Sequence, residues 1–337
     1  MTDLVVYTDP AWLVDAGTLR TENFDLVERK VLGDVRLGHG PFADGRFVLS
    51  GQPLHEAVAG ARILVIYRCQ VRAELLDAAG PGLRAVVRQG VGVDNLSAPL
   101  LAERGVAGFN IPDYCVDEVA THTTALALAL ERGLIAQHRS LAGGRFDIYA
   151  GGTPRRVSLR TLGIVGFGRI GRAVARKLGV QYGRVLVYDP YVGRDLAEGY
   201  GAHAVASLTE LLAESDLVTL HCPLTQETDG LIGAEQLAVM RPDAYLVNAA
   251  RGRLVRPAAL AGALRAGQIA GAALDVFSPE DPNDDPAWAP VLADPRVVLT
   301  SHRAFLSADA EQSSRVRAAE VVRDILAGSV PSLGRMA

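Results

Sequence analysis

The sequence predicts an α/β chain of two domains, each a parallel sheet wound with crossover helices, and three observations carry that expectation. Short apolar runs recur along the 337 residues and alternate with helical stretches. The length exceeds what one ordinary core needs and suits two. Hydrophobic residues make up 49% and charged residues 21%, the mix of a globular α/β protein, with no low-complexity tract to interrupt it.

Taken in order, LVVYT (4–8), RILVIY (62–67), RAVVRQ (84–89) and VAGFN (106–110) read as strands, separated by helical stretches that include 72–79 and 97–104. From Asp117 to about Arg139, DEVATHTTALALALERGLIAQHR predicts one long helix, rich in Ala and Leu with acids in its first turn. It is placed to bridge the two domains. LAGGRFDIYAGGTPRR then reads as a Gly-rich loop without period. Beyond it the alternation is clearer: strand TLGIVG, helix 169–179, strand VLVYD, helix 207–213, strand LVTLH, helix 234–239, strand AYLVNA, helix 257–266, strands GAALDV and VVLTSH, and a last helix at about 308–327. Six strands in that order predict a doubly wound sheet.

Composition also excludes. A formal net charge of −4 leaves no broad basic field for a phosphate backbone, so nucleic acid is not expected as a direct partner. Cys69, Cys115 and Cys222 are odd in number, widely separated and without CxxC spacing, which argues against a disulfide framework or a zinc site. No metal is expected. No run of eighteen apolar residues occurs, and an acid follows the first methionine closely, so neither membrane insertion nor export is indicated. A reducing cytoplasm is the expected location.

GIVGFGRIGRAVARKLG places Gly166, Gly168 and Gly171 in G-x-G-x-x-G spacing directly after an apolar strand and at the opening of a helix. The first glycine serves a tight turn, the second a close approach to pyrophosphate, and the third the packing of helix on strand. The helix N-terminus, at Arg169 and Ile170, offers free N–H groups to phosphates. Asp189 ends the next strand, where its carboxylate accepts from the two ribose hydroxyls and repels a 2′-phosphate, so NAD is expected over NADP. Three further residues sit at strand ends in the same half: Arg251 after YLVNAA, Glu280 shortly after ALDVF, and His302 after VVLTS. In an open α/β sheet those ends share one edge, where an anion clamp, an acid and a base converge.

The chain resembles the D-isomer-specific 2-hydroxyacid dehydrogenases over nearly its whole length, through VRQGVGVDNL, FNIPDYCVDEVATH, LGIVGFGRIG, HCPLTQET, NAARGRLV, ALDVFSPEDP and TSHRAFLS. FNIPDYCVDEVA and the His-x-Ala-aromatic form of the last motif look most like the branch that includes C-terminal binding proteins. The resemblance implies two Rossmann-like domains with an active-site cleft between them: a substrate domain, 1–116 completed by 305–337, and an NAD-binding domain, 117–304, with hinges near Val116 and Ala304. It makes Arg251 the substrate arginine, His302 the acid/base and Glu280 the carboxylate that orients and charges it. It adds Val91 and Gly92 of GVGV, with Phe305, to the substrate site. His221, Cys222, Pro223, Thr228, Ala249, Ala250 and Asp275 join the cofactor site. Two departures stand out: Asp281 follows Glu280 where proline is usual, and Arg256 occupies a position where many relatives carry an acid. The implied activity is NAD-dependent interconversion of a 2-oxo acid and an (R)-2-hydroxy acid by a homodimer. An NAD(H)-sensing, corepressor-like scaffold is the alternative.

Overall fold

The computed structural model describes residues 3–331 and 334. The chain divides into two compact units, Met1–Tyr114 with Ser307–Ala337, and Cys115–Leu306.

The first unit runs β1 (Leu4–Tyr7), a small hairpin of β2 (Val14–Asp15) and β3 (Thr18–Leu19), α1 (Glu28–Leu32), β4 (Arg36–His39), a second hairpin of β5 (Phe42–Ala43) and β6 (Arg46–Phe47), α2 (Gln52–Val58), β7 (Ile63–Ile66), α3 (Ala73–Ala79), β8 (Ala85–Arg88), α4 (Ala98–Glu103) and β9 (Ala107–Asn110). Its five-stranded sheet has the order β4-β1-β7-β8-β9, parallel throughout. Strands buried on both faces need continuous apolar runs rather than alternation, and Ile63–Ile66 is buried at every position. Leu64, Val86 and Ile66 pack with Leu54 and Leu75 on one face, while Ile63, Val65 and Val87 pack on the other with Ala318 and Val322. Those last two come from α13 (Ala308–Leu326), so this core is completed by the far end of the sequence.

The second unit begins with α5 (Val116–Glu131) and α6 (Leu134–Ala142). The single helix expected over 117–139 is therefore two. Gly133 adopts φ +61° between them, a left-handed conformation that breaks the helix where the Ala and Leu composition gives no warning. Then follow β10 (Thr161–Val165), α7 (Arg169–Lys177), β11 (Arg184–Tyr188), α8 (Arg194–Glu198), β12 (His203–Ala204), α9 (Leu208–Glu214), β13 (Leu217–Leu220), α10 (Ala234–Val239), β14 (Tyr245–Asn248), α11 (Pro257–Ala266), β15 (Gly271–Leu274), α12 (Ala289–Leu292) and β16 (Val297–Leu299). The sheet has seven parallel strands where six were expected, in the order β12-β11-β10-β13-β14-β15-β16. The extra strand, β12, pairs only two residues with β11 and is too short to show as an apolar run. Strand order reverses beside β10, between the branch to β11 and the branch to β13, which puts a topological switch point next to the glycine turn. No helix among the described residues is long and apolar enough to cross a membrane.

Candidate active site

Parallel pairing brings the carboxyl ends of β10, β11, β13, β14, β15 and β16 to one edge of the second sheet. The glycine turn leaves β10 there. Gly166 has φ +89°, and a Cβ on it would lie 2.5 Å from the Cys222 amide nitrogen and 2.7 Å from the His221 carbonyl carbon. A Cβ on Gly171 would lie 2.2 Å from the Gly166 carbonyl oxygen, so the third glycine lets α7 pack on the turn. Gly168 is different: a Cβ there would meet nothing within 4 Å. No neighbour in the protein requires that glycine, whereas a pyrophosphate approaching the backbone would. The first intrahelical bond of α7 runs from the Arg172 amide to Gly168, which leaves the amides of Arg169, Ile170 and Gly171 outside the helical ladder.

Asp189 accepts hydrogen bonds from the Phe167 amide at 2.7 Å and the Tyr191 amide at 2.9 Å, tying the end of β11 to the glycine turn. His221 and Thr219 are hydrogen-bonded at 3.0 Å between Nε2 and Oγ1, and burial pushes the imidazole down to about 3, so it is neutral at physiological pH. Burial pushes the Cys222 thiol up to about 11. Thr228 donates its hydroxyl to the Pro223 carbonyl at 2.7 Å and accepts from the Thr225 amide at 2.8 Å, closing the 223–228 loop on itself. The residues around this turn fit a dinucleotide: a cradle without side chains, free helical amides and a carboxylate at the next strand end.

At the end of β14, buried Asn248 accepts from the Ala250 amide at 3.1 Å and donates to the Arg251 carbonyl at 2.8 Å. These bonds shape the turn through Ala249 and Ala250, and the Arg251 guanidinium donates to the Ala250 carbonyl at 2.7 Å. Arg256 stands 3.5 Å from the Asp229 carboxylate, an ion pair in place of the acidic cap that the sequence lacks there.

His302 follows β16. Its Nδ1 lies 2.7 Å from Glu280 Oε1, with the two side chains 33% and 48% exposed, so the pair is reachable from solvent. The Phe305 ring stands edge-on to the imidazole, with centroids 6.1 Å apart. Arg303 is exposed. His302 itself has φ +49°, a left-handed conformation that costs a residue with a Cβ and needs outside support. Asp275 gives that support. It is fully buried; its carbonyl accepts from the His302 amide at 2.6 Å, and its carboxylate takes the Thr300 hydroxyl at 2.6 Å and the amides of Arg303 and Ala304 at 3.0 and 2.9 Å. Asp275, expected as a cofactor contact, thus also holds the backbone around His302. Thr300 and His122, which joins this network from α5, went unnoticed in the sequence. The available signal for His122 was the polar run THTT at the head of an otherwise Ala- and Leu-rich helix.

Val91 and Gly92 belong to the first unit, after β8, where the Asn110 side chain donates to the Val91 carbonyl at 2.7 Å.

Residues 124–304 match the family model described as D-isomer specific 2-hydroxyacid dehydrogenase, NAD binding domain. The chain belongs to the D-isomer specific 2-hydroxyacid dehydrogenase family. Among curated members, it is 39% identical to a D-3-phosphoglycerate dehydrogenase of Mycobacterium bovis over 301 residues, 88% of this chain and 54% of that one. It is also 39% identical to a glyoxylate reductase of Korarchaeum cryptofilum over 269 residues, 76% of this chain and 75% of that one. The chain thus spans about half the length of the phosphoglycerate dehydrogenases it matches. Among solved structures, the D-lactate dehydrogenase of Aquifex aeolicus, complexed with NAD and lactic acid, superposes with a TM-score of 0.83 at 26% identity and covers 96% of both chains. These dehydrogenase and reductase names do not single out the C-terminal binding protein branch.

Proposed function

We propose that this family member is an NAD-dependent oxidoreductase that interconverts a 2-oxo acid and an (R)-2-hydroxy acid. The observation that carries the reading is the His302–Glu280 pair at 2.7 Å, held on the same sheet edge as a glycine turn shaped for a dinucleotide. NAD, when bound, supplies or accepts the hydride. Gly166, Gly168 and the first-turn amides of α7 would hold its pyrophosphate, and Asp189 its ribose.

The chain's own residues do the remaining work. With Nδ1 occupied by Glu280, His302 presents Nε2 to the substrate oxygen and gives a proton during reduction or takes one during oxidation. Arg251 binds the substrate carboxylate through its planar fork and stabilises charge developing on the oxygen. Val91 and Gly92, in the first unit, are proposed to bind substrate through their backbone amides. Phe305, beside the imidazole, supplies an aromatic wall that favours a bulky apolar side chain on the 2-oxo acid over a second carboxylate. The segment after α5 leaves Leu134, Leu141, Phe146, Ile148 and Tyr149 more than half exposed, which supports a homodimer formed through this region. A cytoplasmic location fits this chemistry.

A screen of 2-oxo acids against NADH, followed by loss of nicotinamide absorbance, tests the reading. Turnover should be best with a bulky apolar acid and should lose that preference in Phe305→Ala. No turnover of any 2-oxo acid would refute the activity, and a preference for dicarboxylates would refute the side-chain assignment.

A further inference from the structure

We propose that His122 is a positioning residue for His302, acting through Thr300 and Asp275. The inference rests on the reading of His302 as the acid/base. His122 lies on α5, which packs on β14 and β15, and its side chain is 21% exposed. Its Nε2 is 3.1 Å from Thr300 Oγ1 and 3.5 Å from Asp275 Oδ1.

Hydrogen-bond accounting fixes the direction of this chain. A threonine hydroxyl has one proton, and Thr300 gives it to Asp275 at 2.6 Å. Towards His122 the oxygen can therefore only accept, so Nε2 carries a proton and donates. Asp275 is buried, and burial alone would push its carboxyl up. The donors around it, His122 and Thr300 with the amides of Arg303 and Ala304, outweigh burial and hold it below the usual carboxylate range. The charged carboxylate then grips the two amides that follow His302, while the Asp275 carbonyl grips His302's own amide at 2.6 Å. His302 sits in a left-handed conformation that its side chain does not favour, so its approach to Glu280 depends on that grip. His122 is the donor that keeps the Thr300 hydroxyl aimed at Asp275.

Two amide substitutions separate the donor from the ring. Glutamine reproduces a donor near the Nε2 position, while asparagine stops short of it. His122→Asn should lower kcat by about tenfold, the upper scale of one neutral hydrogen bond, with KM for NADH nearly unchanged. Amide exchange of Arg303 and Ala304 should accelerate in the same variant. His122→Gln should restore most of the rate and the protection. Wild-type kcat in His122→Asn, or equal damage in both variants, would overturn the proposal. Should His122→Asn fail to fold, Thr300→Val cuts the same chain at its other end. Thr300→Val should then lower kcat and accelerate exchange of the Arg303 and Ala304 amides, and wild-type values of both would overturn the proposal. Amide exchange needs no turnover, so it reports on the network even if the oxidoreductase reading fails.

Discussion

The two edges of the seven-stranded sheet use charge in opposite ways. At the amino edge, the Arg160 guanidinium lies 3.2 Å from Glu131, donates to the carbonyls of Asp216 and Asp243 at 2.9 Å each, and stands over the Tyr245 ring. Tyr182 donates to Glu131 at 2.9 Å. The Arg160 and Glu131 side chains are 3% and 1% exposed. Burial pushes Glu131 up, Arg160 pulls against it, and burial also pushes Tyr182 up. These charges stitch strand beginnings together and reach no solvent. At the carboxyl edge, His302 and Glu280 are close and partly exposed, on a loop whose central residue is held in an unfavoured conformation. One sheet thus separates the two demands, rigidity at one edge and reachable charge at the other.

The sharpest way to break that contrast is His302→Asn. Asparagine tolerates a left-handed backbone better than histidine, so the fold should be unharmed. Turnover should nevertheless fall by roughly two to four orders of magnitude, the usual worth of a positioned acid/base, as read by steady-state kinetics beside a thermal melt. The converse is Arg160→Met at the other edge. Removing one partner of a buried ion pair should cost about 3–5 kcal/mol in urea unfolding, with kcat per folded molecule unchanged. A kinetic defect without a stability loss would erase the distinction between the edges.

Arg251→Lys retains charge but loses the fork, so kcat/KM should fall by about two orders of magnitude while NAD affinity, measured by fluorescence titration, hardly moves. The smallest effect belongs to Glu280→Gln. Its carboxylate accepts from His302 Nδ1 at 2.7 Å and so holds the imidazole with Nε2 turned to the substrate oxygen. Glutamine keeps an acceptor but loses the charge, so kcat should fall by about tenfold in steady-state kinetics. An unchanged kcat would mean that the 2.7 Å contact does not position the base.

Period and punctuation made the main strands legible, because a strand buried on both faces must read as a continuous apolar run. The glycine turn was legible for steric reasons that the structure bears out at Gly166 and Gly171. β4 and β12 were not legible, being RLGH and a mere two residues at the sheet margins. Nor was the break at Gly133, since one glycine within a strong helix former is often tolerated. At the candidate site, Arg251, Glu280 and His302 were singled out because they sit at strand ends. The amino-edge cluster and the His122–Thr300–Asp275 chain were not, because their members are scattered from 122 to 300 and meet only when strands stack. Spacing along a sequence carries a motif, but a network drawn from several elements leaves no local pattern.

The return of α13 to the first unit also sets an order of assembly on the ribosome. Ala318, Ala319, Val321 and Val322 close one face of the first sheet, and Arg315 reaches Glu28 in a buried ion pair at 2.7 Å. That helix is made only after the whole second unit has been translated. At bacterial-type elongation speeds, the roughly two hundred intervening residues take on the order of 10–40 s. During that interval, Val5, Ile63, Val65 and Val87 lack their cover, while the second unit, continuous in sequence, has everything it needs to close. The first unit is therefore the later of the two to finish folding, and a nascent chain stalled before residue 308 would present the apolar underside of its first sheet to chaperones.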